Sequence, residues 1–175
     1  DAGVLGSLVM IDSFAGFFRI VFSFVAVVTI LFSWSSEEIM GRGREHKGEY
    51  YALIALMTGG MMVMAEARDL VMLFMSMELV ALTSYVMAGY MRNSLRSTEA
   101  SLKYVIFGAV SSGIMLFGMS LLFGMTGQMT FVGIRDALVA NPVNELSMLV
   151  VLIMIMAGFG YKIAMVPFHF WCPDV

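Results

Sequence analysis

Charge and cysteine are both scarce in this sequence, and each shortage excludes a class of protein. Cysteine occurs once, as Cys172, which excludes an intramolecular disulfide framework, a four-cysteine zinc site and an iron–sulfur cluster held by this chain. Charged residues make up only 13% of the 175 positions, about half the share that a solvated globular surface carries. That excludes a disordered chain, a nucleic-acid-binding module and an ordinary cytosolic enzyme. The net charge is −3, so there is no basic excess to meet a polyanion and no nucleic-acid partner is expected. Alternation of apolar and polar residues at period two is missing too, which argues against a transmembrane β-barrel.

What is abundant is apolar. Hydrophobic residues reach 60%, methionine alone accounts for 19 positions, and the mean hydropathy is +0.89. The class is an integral membrane protein bathed in lipid, with an all-α, polytopic helical bundle as its fold. The gaps between charge clusters have membrane dimensions, since a spanning helix needs about 20 mostly apolar residues. Five segments qualify, at 9–33, 50–66, 69–91, 98–124 and 146–169. The second is short, but Tyr50 and Tyr51 at its start suit an interfacial aromatic belt. A short interfacial helix is expected around 130–140. Residues 34–49 form the one long hydrophilic stretch, and 92–97 a short basic turn. Arg42, Arg44, Lys47, Arg92 and Arg96 fall on one side of the bundle and Arg68 and Arg135 on the other. The Lys/Arg bias places loops 34–49 and 92–97 in the cytoplasm. The chain opens on Asp1 without a basic leader and stops abruptly, as expected for a piece, 1–175, of a longer polytopic transmembrane domain.

Of the charges inside predicted spans, three are the hardest to dismiss, because ionisable groups there are functional candidates by default. Glu78 sits near the middle of the third span, roughly 14 Å from Asp69 at 1.5 Å per residue, too deep for its short side chain to reach water. The alternative is a protonated acid hydrogen-bonded to a neighbouring helix. Lys103 lies a turn or two into the fourth span. Its stem can snorkel to the interface, and its ammonium can pair with Glu99 at i,i+4. The short turn joining the third and fourth spans makes them antiparallel neighbours, which also brings Lys103 within reach of Glu78. Lys162 lies near the inner end of the fifth span. Pro167, five residues on, removes the hydrogen bond to the Ile163 carbonyl, so the helix is predicted to break near Pro167, just past Lys162. Free carbonyls would then stand beside the ammonium, as in the broken helices of many transporters. The alternative is a helix ending at the interface, with Trp171 in an aromatic belt and Asp174 in a loop. His169 follows the break, either as a hydrogen-bonded structural residue or as a proton relay.

Other features read as architecture. Met57, Met61, Met62 and Met64 suit adaptable packing rather than soft-metal transport. Gly108 with Ser112, and Ala109 with Gly113, give small-xxx-small spacing for close helix contact. Gly41 and Gly43 lack the rest of a phosphate loop. Asp12 and Arg19 share one face of the first span, and Arg19 can either snorkel outward or pair within the bundle. There is no Ser-His-Asp arrangement, metal cluster or dinucleotide fingerprint.

Five stretches carry a family likeness: MIDSFAGFFR at 10–19, GEYYALIAL at 48–56, DLVMLFMSMELVALTSYVMAGY at 69–90, STEASLKYVIFGAVSSGIMLFGMSLLFGMTG at 97–127 and KIAMVPFHFWCPDV at 162–175. In these the chain resembles the antiporter-like membrane subunit family of proton-translocating NADH:quinone oxidoreductase (respiratory complex I). The pattern PFHxWxPDV looks like the subunit N branch, whereas sister subunits and multi-subunit cation/proton antiporters usually read PDA there. Arg19 stands where the family often has lysine. The resemblance implies about fourteen helices with two inverted repeats, of which this chain corresponds to the third to seventh helices. It implies a proton relay in which Glu78 matches the glutamate that modulates a channel lysine, Lys103 a lysine partner on the next helix, Lys162 the lysine of the broken helix, and His169 the histidine after it. It further implies proton translocation as part of an NADH:quinone oxidoreductase, coupled to quinone reduction elsewhere in the complex. This chain itself would then hold no redox centre or cofactor, with NADH, FMN, iron–sulfur clusters and quinone bound elsewhere. Other complex I membrane subunits would be its partners and the bacterial inner membrane its location. Two other expectations stand beside it: a cation/proton antiporter subunit using the same series, and a structural or inactive membrane fragment.

Overall fold

The computed structural model describes residues 9–10, 12–34, 36, 47–91, 94–173 and 175. Arg42, Arg44, Arg92 and Asp174, and with them most of the basic loop 34–49, lie outside the described residues. Among the described residues six helices follow one another, α1 (Ser13–Trp34), α2 (Lys47–Glu66), α3 (Leu70–Ala88), α4 (Leu95–Thr126), α5 (Phe131–Ala140) and α6 (Glu145–Lys162). Four of them, α1, α3, α4 and α6, are long and apolar enough to cross a membrane. The 20-residue α2 has the length, but its ends carry Lys47, Glu49 and Glu66. Where the sequence suggests five spans, four meet the apolar criterion and α2 packs among them.

The order of packing follows the chain. α1 rests on α2, α2 on α3, α3 on α4, and α4 on α6, which is the most extensive contact. Asp69 caps α3 by accepting from the Met72 N–H at 2.7 Å, and Ser94 caps α4 by accepting from Ser97. Gly127, with φ of 64°, ends α4 in the left-handed conformation that glycine adopts without strain. The helix expected near 130–140 is α5. Its start is tied to the α2–α3 turn, because Leu70 donates to the Met129 carbonyl at 3.0 Å and Phe131 to the Arg68 carbonyl at 3.2 Å.

Small residues set the spacing. Gly158 of α6 lies so close to Met115 of α4 that no Cβ would fit, and Gly118 of α4 faces Met154 in the same way at 2.9 Å. Gly108 of α4 admits the Tyr85 side chain of α3, whereas Gly113 has open space around it. Of the two small-residue stripes in α4, only the Gly108–Ser112 stripe meets α3. The apolar core occupies the half of the bundle towards the start of α3. Leu70, Met77, Met115, Met119, Leu122, Ile134 and Val151 are buried there, with Met64, Met125 and Met148 packed around them. The methionines act as apolar filler, as their unbranched stems allow.

Candidate functional site

At the inner edge of that methionine core, the packing turns polar. Glu78, in the middle of α3, directs its carboxylate between α4 and α6. Its Oε1 accepts from Lys162 Nζ at 2.9 Å and from the Ser112 hydroxyl at 2.6 Å. The Lys162 and Glu78 side chains are 16% and 22% exposed, so the pair is shielded mostly by protein. Low surrounding polarity strengthens the attraction, while desolvation opposes both charges. The second contact, from Ser112, is what the small-residue stripe on α4 leaves room for. In the sequence, Ser112 stands out only as a small residue for packing. An isolated hydroxyl pair, Ser111–Ser112, in the middle of an apolar helix was the available signal.

Lys162 reaches this point because α6 stops level with the middle of α3 and α4. The helix ends by a Schellman arrangement in which Met165 N–H donates to the Gly160 carbonyl at 2.7 Å, Ala164 N–H to Tyr161 at 3.1 Å and Ile163 N–H to Phe159 at 3.0 Å. Ala164 takes the left-handed position, with φ of 52°, at a cost that glycine would not incur. The helix ends just past Lys162, five residues before Pro167, as expected, but the carbonyls of Phe159, Gly160 and Tyr161 are taken up by backbone N–H groups rather than left free. The negative end of the α6 dipole still faces the Lys162 ammonium. Beyond the break the chain folds back: Phe168 lies against Gly160, and the Trp171 indole N–H donates to the Tyr161 carbonyl at 3.1 Å. Trp171 therefore packs inward rather than forming an interfacial belt.

On the side of Glu78 away from the methionine core, aromatic and hydroxyl groups line the helix contacts. Tyr85 meets Tyr104 edge to face at 4.6 Å, and Tyr104 stacks on Trp171 at 4.6 Å. The Ser84 hydroxyl contacts the Tyr104 hydroxyl at 3.3 Å, and the Tyr161 hydroxyl donates to the Tyr104 carbonyl at 3.2 Å. This zone leads to a cleft of about 790 Å³ lined by Tyr50, Tyr90, Arg96, Glu99, Lys103 and Pro173, among others. Lys103 pairs there with Glu99 at 2.7 Å across one helical turn. It stands nine residues from Ser112, about 13 Å along α4 at 1.5 Å per residue, so the charged groups that meet at Glu78 come from α3 and α6. His169 lies in the fold-back, stacked on Phe170 at 5.1 Å with its Nδ1 buried. Of the four sequence candidates, Glu78 and Lys162 are in contact, whereas Lys103 lies in the cleft beside Glu99 and His169 in the fold-back.

Among the described residues a second ion pair between helices stands near the opposite end. Arg19 of α1 donates from Nε to Oε1 of Glu66, whose side chain is 8% exposed. The Met10 N–H donates to the Glu66 carbonyl at 2.8 Å. Of the two roles open to Arg19, the structure shows pairing within the bundle.

A bundle of apolar helices with a charged pair at the mid-bundle end of one of them defines a multi-pass membrane protein with an ionisable centre. A family described as "NADH:quinone oxidoreductase/Mrp antiporter, TM" matches residues 67–175, and the chain belongs to it. It is 44% identical over 165 residues to "NADH-quinone oxidoreductase subunit N 2" of Chloroherpeton thalassium, covering 94% of this chain and 32% of that protein. To "NADH-quinone oxidoreductase subunit N 1" of Koribacter versatilis it is 45% identical over 177 residues, 99% of this chain and 34% of the relative. Its fold matches a chain of the membrane-bound sulfane sulfur reductase, an archaeal respiratory membrane complex. The TM-score is 0.78 at 27% identity, over 95% of this chain and 32% of that one. A chain of respiratory complex I from Thermus thermophilus gives 0.68 at 28% identity, over 90% and 33%. The chain spans about a third of the length of the curated relatives it matches.

Proposed function

We propose that this chain is part of a membrane subunit of NADH:quinone oxidoreductase that carries protons across the membrane through an intramembrane Glu/Lys relay, coupled to quinone reduction elsewhere in the complex. The observation that carries this reading is the 2.9 Å contact of Lys162 with Glu78 at the mid-bundle end of α6. Such a pair is held together by opposing large terms, attraction and desolvation, so a small movement of either partner changes how tightly each holds its proton. Moving one charge through 100 mV costs about 2.3 kcal/mol, which a change of roughly a hundredfold in proton affinity matches. In this reading Lys103, in the cleft beside Glu99, and His169, in the fold-back, pass protons between this centre and the membrane surface. The partners are other membrane subunits of the complex and the lipid bilayer. The redox groups belong to other subunits, and the location is a bacterial inner membrane.

The decisive experiment is Lys162→Ala in the intact enzyme. Proton pumping coupled to NADH oxidation should be abolished or strongly reduced; unchanged pumping would sink the relay. A cation/proton antiporter subunit is the second reading, favoured by the family's inclusion of Mrp antiporters. Sodium-dependent proton exchange in membranes without NADH oxidation would select it.

A further inference from the structure

Ser112 shares the carboxylate oxygen that Lys162 uses, and its geometry assigns it a role of its own. Its hydroxyl lies 2.6 Å from Glu78 Oε1, closer than the Lys162 ammonium at 2.9 Å, and the residue is 6% exposed. Serine in a helix ordinarily directs its hydroxyl to a carbonyl three or four residues back, as Ser76 does to Leu73 and Ser84 to Ala81 in α3. Ser112 is aimed across the helix interface instead. The register that makes this possible comes from Gly108, one turn earlier, whose missing side chain lets Tyr85 and α3 close on α4.

We infer that Ser112 is the positioning residue of the Glu78–Lys162 pair: it holds the Glu78 carboxylate in the rotamer that meets Lys162 and remains as its donor when the pair opens. This rests on the proton-relay reading. A buried carboxylate that loses its only partner is left uncompensated, which makes opening of such a pair prohibitively costly. A fixed hydroxyl removes that obstacle, because Oε1 keeps one hydrogen bond while the ammonium moves. The hydroxyl also rotates freely and can both donate and accept, so it serves Glu78 as a carboxylate and as a neutral acid. When neither is offered, it has the Gly108 carbonyl to fall back on, at the i−4 position.

The test uses the full-length subunit assembled in its native membrane complex, with Ser112→Ala, Ser112→Thr and Glu78→Gln made singly and in combination. Subunit abundance in the membrane is measured first, so that failed assembly is recognised. Ser112→Ala is expected to slow proton translocation through the subunit by about tenfold, the rate equivalent of a hydrogen bond to a charged group. Ser112→Thr, which keeps the hydroxyl, restores it. In the infrared difference spectrum, the Glu78 carboxylate band, identified by its loss in Glu78→Gln, moves in Ser112→Ala and returns in Ser112→Thr. On the Glu78→Gln background Ser112→Ala adds nothing. An unmoved carboxylate band, or an equal loss on both backgrounds, overturns the positioning role. Where Glu78→Gln leaves pumping intact, the relay reading fails on that result alone, and the infrared band still decides whether Ser112 holds the carboxylate.

Discussion

The indole of Trp171 lies parallel to the ring of Tyr104, with 4.6 Å between centroids and 9° between planes. This stack fastens the chain beyond the end of α6 to the first third of α4. The indole N–H reinforces it through the Tyr161 carbonyl, one residue before Lys162. An aromatic pair contributes about 0.5–1.5 kcal/mol beyond its buried area, so the contact is strong enough to hold a short segment and weak enough to release. Trp171→Ala should free the fold-back, whereas Trp171→Phe should retain the stack and lose only the hydrogen bond. A spin label on exposed Cys172, in a full-length protein cleared of other cysteines, reads this directly. The label should become mobile in Trp171→Ala and stay restrained in Trp171→Phe, and equal mobility in the two variants would refute the clamp.

Gly158 and Gly113 offer a contrast within the α4–α6 pair. A methyl group at Gly158 would collide with the Cβ of Met115, which is fully buried. Overpacking of this kind costs about 1–3 kcal/mol. A methyl group at Gly113 meets nothing within 4 Å, and alanine is the better helix former by about 1 kcal/mol. Gly158→Ala should therefore lower the thermal unfolding temperature of the detergent-solubilised full-length protein, and Gly113→Ala should leave it unchanged or raise it. The opposite order would mean that the close crossing at Gly158 does not exist.

Much of this was legible in the sequence, because the bilayer constrains composition so tightly. The all-helical membrane fold, the helix near 130–140 and the end of α6 close to Pro167 all followed from counting residues between charges and turns. So did the standing of Glu78 and Lys162 as anomalies. Their meeting was not legible. Antiparallel neighbours suggested Lys103 as the partner of Glu78, but register decides the matter: Tyr85 lies over Gly108 and Glu78 lies on Ser112, which leaves Lys103 a further nine residues along α4. α3 and α6 are apolar nearly all round and carry no stripe to say which face meets which. The contact between residues 78 and 162 spans 84 positions, so only the tertiary packing reveals it. Glu66 was overlooked for a related reason. At the end of a span a carboxylate looks like an ordinary boundary marker, and its burial depends on α1 arriving from elsewhere.

The Arg19–Glu66 pair should respond asymmetrically to truncation. Glu66 is 8% exposed in its side chain and Arg19 43%. Removing Arg19 strands a buried carboxylate, whereas removing Glu66 leaves a long side chain free to extend towards the interface. Loss of one partner from a fully buried pair costs about 3–5 kcal/mol, and the exposure of Arg19 reduces this to about 1–3 kcal/mol through solvent screening. Arg19→Ala should destabilise the full-length protein more than Glu66→Ala, with the double variant closer to Glu66→Ala. Equal losses from the two single variants, measured by thermal unfolding in detergent, would show that burial does not govern this pair.

The Glu78–Lys162 pair should separate stability from activity. Either single replacement by an apolar residue of similar size, Glu78→Leu or Lys162→Met, leaves the opposite charge largely buried. About 2–4 kcal/mol should be lost, somewhat under the range for a fully enclosed pair, because 16% and 22% of the two side chains remain exposed. The double variant removes both desolvation penalties at once and keeps the volume, so its stability should return close to that of the parent. Proton translocation should be lost in all three. A stable, assembled, non-pumping double variant would show that the pair is kept at the end of α6 for what it does with protons rather than for holding the helices together. A double variant less stable than either single one would mean that the ion pair is itself a structural necessity.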